Sequence, residues 1–249
     1  MTHHAHRGDG RQRAHDALEN AHDAVDHAIE RLEDARDRVV ATVKPKLRGW
    51  IHAGTAPLAL AAGIVLIVLT PAADRWASAV FVASSLVLFG TSAVYHRGTW
   101  SPRVGVTLRR LDHANIFLLI AGTYTPLAWM LLDRPTAQLL LAVVWGGAVA
   151  GILMRVFWLS APRWLYVPLY VALGWVAVWF LPDFSAAAGP ALVWLIAAGG
   201  IAYTLGAVVY GFKRPNPSPR WFGFHEIFHV GTVVGFVCHL IAVFIAVTT

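Results

Sequence analysis

The sequence predicts an all-α integral membrane protein, a bundle of seven transmembrane helices that follows a charged N-terminal segment. Three observations support this fold class. Of the 249 residues, 57% are hydrophobic and the mean hydropathy is +0.57, which is too apolar for an ordinary soluble domain. Seven stretches of roughly 20 residues lack Asp, Glu, Lys and Arg. Nine of the 14 acidic residues lie in the first 50 positions, so the chain has two parts of different composition.

The first part, residues 1–48, is predicted to be a charged cytosolic segment, and residues 49–249 are predicted to be the transmembrane domain. Apolar residues of the segment recur at alternating spacings of three and four, as in the seam of an amphipathic or coiled-coil helix. We expect this helix to pair with a second copy of the chain as a homo-oligomer or to lie on lipid headgroups; a solvated single helix is the alternative. The seam residues are Leu18, Ala21, Val25, Ala28, Leu32, Ala35 and Val39.

The seven apolar stretches are each long enough to cross a bilayer, since about 20 helical residues at 1.5 Å per residue span about 30 Å. Helices are expected because a backbone in lipid must satisfy its own hydrogen bonds, and the stretches lack the strict alternation of a barrel strand. The N-terminus has no apolar signal-peptide region, so the first span is expected to direct insertion. The stretches cover about residues 51–70, 76–95, 113–132, 135–154, 164–182, 190–212 and 227–249.

The charges of the connecting loops predict an orientation, because Lys and Arg are retained on the cytoplasmic side. Basic residues precede the first span and occupy the loops after the second, fourth and sixth spans, whereas the other loops hold Asp74 with Arg75, Asp133 with Arg134, and Asp183 alone. We therefore expect a cytoplasmic N-terminus and an outside C-terminus. The same basic residues account for the pI of 9.9, so no nucleic-acid partner is expected.

Four ionisable side chains that lie far apart in the sequence are predicted to meet near the cytoplasmic face. An ionisable group inside a membrane helix is costly and is a functional hypothesis by default. His96 ends the second span, Asp112 opens the third, and His225 and His229 open the seventh. The orientation rule places all of these span ends in the same layer of the membrane.

The spacing of these residues predicts a metal site. Residues four apart share a helix face, so His225 and His229 can bind one ion together, and Ser92 points to the same side as His96. Three imidazoles with an open fourth position are typical of catalytic zinc. We predict Zn²⁺ ligation by the three histidines, with Asp112 as the base for water and Ser92 bonded to a substrate carbonyl. A packing role for each histidine is the alternative.

The remaining polar residues of the spans are not assigned to the site. Glu226 is rotated by about 100° from the preceding ligand, so we expect it at the interface or behind the ligands. His113 is expected to be structural or to face headgroups, and His239 lies too deep in its span to bind the metal. His52 is expected to be an interfacial side chain. Cys238 is interpreted as a packed, inert thiol.

Three motifs resemble a known family. They are SAVYH (92–96), LDHANIFLLIAGTYTP (111–126) and HEIFH continuing to CHL (225–240), in the second, third and seventh spans. In this order they resemble the haemolysin III family of bacterial membrane proteins, which is related to the progestin and adipoQ receptors. The resemblance implies a multi-pass protein of the bacterial cell membrane. It also implies zinc held by His96, His225 and His229, with Asp112 contacting zinc through water.

The resemblance also implies candidate functions, each with a membrane lipid as substrate or ligand. The wider superfamily includes ceramidases, and its proposed shared chemistry is zinc-dependent hydrolysis of lipid amides or esters. We expect such a hydrolase. The alternative is a non-enzymatic protein with a structural zinc, whether a cytolytic pore-former, a lipid sensor or a regulator of membrane homeostasis. A haem-binding electron-transfer protein is the third class; it is not implied by the resemblance, but it would also use intramembrane histidines. No motif identifies a lipid substrate.

Overall fold

The structure is a computed structural model that describes Leu18, Ala21, Val25 and residues 45–249. Residues 45–249 form one compact helical unit, and seven of its helical spans are long and apolar enough to cross a membrane. The predicted all-α, seven-span fold is therefore confirmed. The helices are α1 (Trp50–Leu69), α2 (Arg75–Arg97), α3 (Pro102–Leu131), α4 (Arg134–Phe157), α5 (Arg163–Gly174), α6 (Leu181–Ala188), α7 (Pro190–Phe212) and α8 (Phe224–Thr248).

The fifth span consists of three consecutive pieces. A 3₁₀ helix, Trp175–Phe180, joins α5 to α6, and the whole span runs over Arg163–Ala188. The predicted stretch of 164–182 is therefore too short, because the last turns follow an uninterrupted helical path past Asp183.

The third span also differs from its predicted bounds. α3 begins at Pro102, with proline at the first helical position, where its missing N–H is not needed for the helix. The arginines after Pro102 lie in the helix and not in a loop, so Asp112 lies inside α3 instead of at its start. The prediction that Asp112 opens the helix is wrong, because hydropathy marks the apolar part of a helix and not its first turn.

The outer surface of the bundle is apolar. Large hydrophobic side chains on several spans are more than half exposed, which would be unfavourable in water and is expected of a surface that faces lipid acyl chains. α3 is the most buried span and packs against α2, α4 and α8. The most exposed of the apolar side chains on long helices include Leu58, Val68, Leu139, Leu205 and Phe212.

The two ends of the bundle differ in charge. One end is formed by residues 45–49, by the α2–α3, α4–α5 and α7–α8 connections, and by the helix turns that adjoin them. Together these parts carry most of the arginines and lysines of residues 45–249, and we call this the basic end. The opposite end carries Asp74, Asp133 and Asp183. Which end faces the cytoplasm stays a prediction.

The predicted N-terminal seam is described at three positions. Leu18, Ala21 and Val25 are helical and exposed. The remaining seam residues, 28, 32, 35 and 39, lie outside the described residues. The pairing of this helix, and the division of the chain at residues 48 and 49, therefore stay predictions.

Candidate metal centre

Three histidines from two distant helices converge at the basic end of the bundle. Each of His96, His225 and His229 offers one ring nitrogen, and these three atoms all lie within 4.8 Å of one another. Nε2 of His225 lies 3.1 Å from Nε2 of His96. Two nitrogens bound to one tetrahedral zinc at about 2.0–2.1 Å would lie about 3.3 Å apart. The spacing of the ring nitrogens therefore fits a shared metal ion.

The chain positions these rings at helix ends. His96 lies in the last turn of α2, and His225 and His229 lie in the first two turns of α8. The start of α8 is fixed by Glu226, whose Oε2 accepts a hydrogen bond from the backbone N–H of Gly223 at 2.8 Å. This bond sets the direction in which the first turn of α8 presents its histidines.

Glu226 also anchors the segment before α1. It is fully buried, and its Oε1 accepts a hydrogen bond from Nε of Arg48 at 2.8 Å. The expected place of Glu226 at the interface is therefore wrong, while its place behind the ligands agrees with the structure. The Arg48 guanidinium compensates a carboxylate that would otherwise be buried alone.

Residues 45–49 touch both helices that carry the cluster. The backbone N–H of Lys46 donates to the carbonyl of Arg220 at 3.0 Å, just before α8. Gly49 has a φ of +82°, and a Cβ at this position would lie 2.8 Å from Cβ of His96. Glycine is therefore required at position 49 both by its backbone conformation and by the close approach to His96.

Asp112 and Ser92 lie beside the cluster, as the sequence predicts. Oδ2 of Asp112 is 3.5 Å from Nε2 of His96, the same atom that faces His225. The carboxylate is therefore on the side of the ring nitrogens that converge. Oγ of Ser92 is buried and has no hydrogen-bond partner among the described residues. Ser92 and Asp112 both line the cavity described below.

His52 is not interfacial, so this prediction is wrong. It is only 2% exposed, and its ring stacks on the ring of His229 with centroids 3.9 Å apart. The edge of Phe89 packs against the same imidazole, with the centroids 5.1 Å apart. Both ring nitrogens of His52 are buried and unpartnered within the described part of the chain. His52 contacts α2 and α8, and these contacts depend on the tertiary fold. They could not be predicted from the hydropathy of the first span.

The other two histidines of the bundle have partners of their own. Nδ1 of His113 lies 2.7 Å from the carbonyl of Arg109, and its Nε2 lies 3.2 Å from the hydroxyl of Tyr210. His239 lies deep in α8, with Nε2 at 3.2 Å from the carbonyl of Ile196. His113 is 9% exposed and faces the interior, not headgroups.

A cavity extends from the cluster into the bundle. His225 and His229 form part of its wall at the basic end, and His239 lies at its deep end. Between them the wall is mainly apolar and aromatic, with contributions from α3, α5 and α7. Its apolar and aromatic residues include Ile116, Leu119, Ile120, Val167, Val171, Trp175, Ala207 and Phe228.

The residues of the cluster fit a metal ion. Nδ1 of His229 is buried and has no hydrogen-bond partner in residues 45–249. A buried polar atom without a partner is unfavourable, and binding of a metal ion by this imidazole would offset that cost. Neutral imidazole nitrogens are ligands for zinc and other transition metals. The residues that would hold the ion are His96, His225 and His229, with Asp112 adjacent. The identity of the ion does not follow from three imidazoles alone.

Seven membrane-spanning helices and a buried histidine cluster that could hold a metal ion define a class of multi-pass membrane protein. Comparison with protein families identifies it further. Residues 40–240 match the family of haemolysin-III related proteins. The chain belongs to this family.

Individual relatives agree with the match. Hemolysin-3 of Bacillus cereus is 28% identical over 183 residues, which cover 71% of this chain and 83% of the relative. The hemolysin-3 homolog of Bacillus subtilis (strain 168) is 28% identical over 205 residues, covering 80% and 94%. The heptahelical transmembrane protein ADIPOR2 of Oryza sativa subsp. japonica is 30% identical over 188 residues, covering 68% and 81%. The relation to bacterial hemolysins and to a plant protein of the adiponectin-receptor type is thereby confirmed.

Proposed function

We propose that the chain is a zinc-dependent hydrolase of a lipid amide or ester. One observation carries the proposal: three histidine nitrogens, the Asp112 carboxylate and the Ser92 hydroxyl adjoin the end of one apolar cavity. An apolar cavity suits an acyl chain, and a polar group at its end suits the amide or ester bond attached to that chain. The substrate lipid would lie with its acyl chain along α8.

Three imidazoles with space for a fourth ligand favour zinc, which when bound supplies a Lewis acid that polarises a carbonyl and activates water. His96, His225 and His229 would hold the ion. Their contact with α3 through Asp112, and with the chain before α1 through Gly49, fixes the ring positions before substrate arrives.

Two residues beside the cluster would supply the remaining catalytic groups, a general base and a hydrogen-bond donor. The Asp112 carboxylate is the described acidic group nearest the ring nitrogens, and it would accept a proton from water and return it to the departing amine or alcohol. The Ser92 hydroxyl has no partner among the described residues, so it is free to donate a hydrogen bond to the substrate carbonyl oxygen. Water adds across the acyl bond, giving a carboxylic acid and an amine or alcohol.

The cluster lies at the basic end, which the retention of Lys and Arg assigns to the cytoplasm. In this orientation the polar products of hydrolysis would be released near the cytoplasmic leaflet. The proposal therefore includes a cytoplasmic N-terminus.

The proposal is tested by elemental analysis of the purified full-length chain together with mass spectrometry of membrane lipids before and after incubation. We expect about one zinc per chain and loss of one lipid species with release of its fatty acid. Asp112→Asn should reduce turnover by at least ~10²-fold, as expected for loss of a general base, while zinc content is retained.

Asp183→Asn is the matched control, because Asp183 is exposed at the opposite end of the bundle. It should leave turnover unchanged. Equal turnover by Asp112→Asn and the unaltered chain would refute the role of Asp112, and stoichiometric zinc without any lipid cleavage would refute the hydrolase.

A second candidate, a non-enzymatic membrane protein with a structural metal, is favoured by one observation. α2 and α8 both pack against α1, and their histidines meet directly. An ion there would brace the two helices. In that case chelation would lower thermal stability, and no lipid would be cleaved.

A further inference from the structure

The deep end of the cavity holds a polar group that the proposed chemistry does not use. The hydroxyl oxygen of Tyr203 is buried and has no hydrogen-bond partner among the described residues. Tyr203 is on α7 and lines the cavity, together with His239 of α8. The two rings lie side by side, with centroids 5.4 Å apart.

Apart from Ser92 beside the histidine cluster, the following hydroxyls along this cavity have partners. Those of Thr123, Thr204 and Thr232 each donate to a carbonyl one turn earlier in their own helix. The hydroxyl of Tyr124 donates to the carbonyl of Gly174 at 2.7 Å, and that of Tyr170 donates to the carbonyl of His113 at 2.9 Å. The unpartnered Tyr203 hydroxyl is therefore an exception at the deep end of the cavity, away from Ser92.

The packing of α7 against α8 makes room for both polar rings. The ring of Tyr203 lies over Gly235, where an added Cβ would be 2.7 Å from the ring. In the opposite direction, the ring of His239 lies over Gly199. Each helix thus places a glycine beneath the polar ring of the other helix. A polar side chain at this depth is unfavourable unless it is hydrogen-bonded, and the Tyr203 hydroxyl has no such partner among the described residues.

The two side chains offer one donor and one acceptor. Nε2 of His239 lies 3.2 Å from the carbonyl of Ile196, so the hydrogen is on Nε2 and Nδ1 is left as an acceptor. The Tyr203 hydroxyl can donate. An alcohol group placed between the two side chains would accept a hydrogen bond from Tyr203 and donate one to His239.

We propose that Tyr203 and His239 form a second polar subsite, which binds a hydroxyl group carried on the lipid chain. His239 is ten residues beyond the ligand His229, which corresponds to about 15 Å along α8 at 1.5 Å per residue. The preferred lipid therefore carries its hydroxyl about 15 Å from the acyl group at the histidine cluster. The inference rests on the proposed function in taking a lipid as the occupant of the cavity, with its acyl group at the histidine cluster, but it concerns binding and not cleavage.

The distance of about 15 Å between the histidine cluster and His239 determines which hydroxy fatty acids are suitable probes. An extended hydrocarbon chain advances ~1.25 Å per bond, given bonds of about 1.52 Å at near-tetrahedral angles. 12-Hydroxydodecanoic acid places its hydroxyl at about the required distance from its carboxylate. 6-Hydroxydodecanoic acid has the same composition with the hydroxyl too near, and dodecanoic acid lacks it.

Binding of the three acids to the zinc-loaded full-length chain is measured by titration calorimetry in detergent. We expect the 12-hydroxy acid to bind about tenfold more tightly than the 6-hydroxy isomer, as expected when a hydrogen bond satisfies a buried group. Tyr203→Phe should abolish this preference without lowering the melting temperature, because the oxygen removed has no partner. Tyr170→Phe, the control, removes a bonded hydroxyl at the other end of the cavity and should keep the preference.

Equal binding of the two hydroxy acids by the unaltered chain would overturn the subsite, and it is the result expected if Tyr203 holds only a water. A preference that survives Tyr203→Phe would also overturn the subsite. Turnover is not measured in this experiment. A clear preference in a chain that cleaves no lipid would uphold the subsite and refute the hydrolase, whereas cleavage without the preference would do the reverse.

Discussion

The histidines of the bundle differ in what their ring nitrogens face. His113 and His239 each bond to a carbonyl oxygen of the protein, which is the usual state of a packed histidine. The rings of His96, His225 and His229 face one another instead. Mutual proximity of acceptor nitrogens distinguishes a ligand set from packed residues.

We predict that truncating a candidate ligand histidine lowers zinc affinity, whereas truncating a packed histidine does not. His96→Ala, His225→Ala and His229→Ala should each lower zinc affinity by more than the ~10–100-fold typical of residues that only support a ligand. His239→Ala removes an imidazole from the same cavity and should leave zinc content unchanged. Zinc is measured by elemental analysis after dialysis against a graded chelator. Retention of tight zinc by any of the three ligand variants would contradict the assignment.

The sequence predicted the members of this cluster but not its surroundings. Spacing of four and positions near span ends are local properties, and they were sufficient to predict that the three histidines converge, although Asp112 lies inside α3 and not at its start. The burial of His52 against His229 depends on how α1 packs against α8, which no local pattern encodes. The pairing of Arg48 with Glu226 was missed for a similar reason. Arg48 lies among the basic residues before the first span, where arginine is expected simply because basic residues are retained on the cytoplasmic side.

The helices α7 and α8 approach each other closely at their glycines. A Cβ on Gly231 would lie 2.9 Å from the carbonyl oxygen of Ala202 and 3.1 Å from Cα of Gly206. Close approach of backbones at small residues is the usual way in which membrane helices associate. The same packing of α7 against α8 places Tyr203 next to His239, which lies on the same helix as His225 and His229.

We predict that Gly231→Ala destabilises the bundle by about 1–3 kcal/mol, because the new methyl group meets backbone atoms that cannot rotate away. Gly146→Ala is the control, since an added Cβ there meets nothing within 4 Å. It should be neutral or stabilise α4 by up to ~1 kcal/mol, as alanine is the better helix former. Thermal unfolding in detergent measures both variants. An equal effect of the two substitutions would show that the α7–α8 approach does not depend on Gly231.

Element boundaries were less predictable than element existence. Hydropathy located all seven spans, yet it could not show that α3 begins at Pro102, because the charged first turns of a helix look like a loop. The 3₁₀ segment Trp175–Phe180 is apolar throughout, so its change of helix type has no compositional signal.

For the whole molecule, the charge difference between its ends predicts the topology. Ala72 and Ser101 are exposed near opposite ends, and the chain has a single cysteine that can first be replaced as Cys238→Ala. In intact cells a membrane-impermeant maleimide should label Ala72→Cys at once and Ser101→Cys only after lysis. The reverse pattern would place the histidine cluster on the outer side.

The cavity belongs to the whole molecule and could not be predicted from the sequence. Its wall draws side chains from α2, α3, α5, α7 and α8, so its shape depends on the relative placement of all these helices. Local sequence patterns predict which helices exist and which helix ends lie on the same side of the membrane. They do not predict the distances between neighbouring helices, which determine the shape of the cavity.

The distribution of the three candidate ligands over α2 and α8 also determines when the histidine cluster can be completed during synthesis. His96 leaves the ribosome 129 residues before His225. The second span must therefore wait in the membrane until the last of the seven has been inserted beside it. A nascent chain interrupted before α8 has one candidate ligand of three, so an ion held by all three would report that the bundle has been made in full.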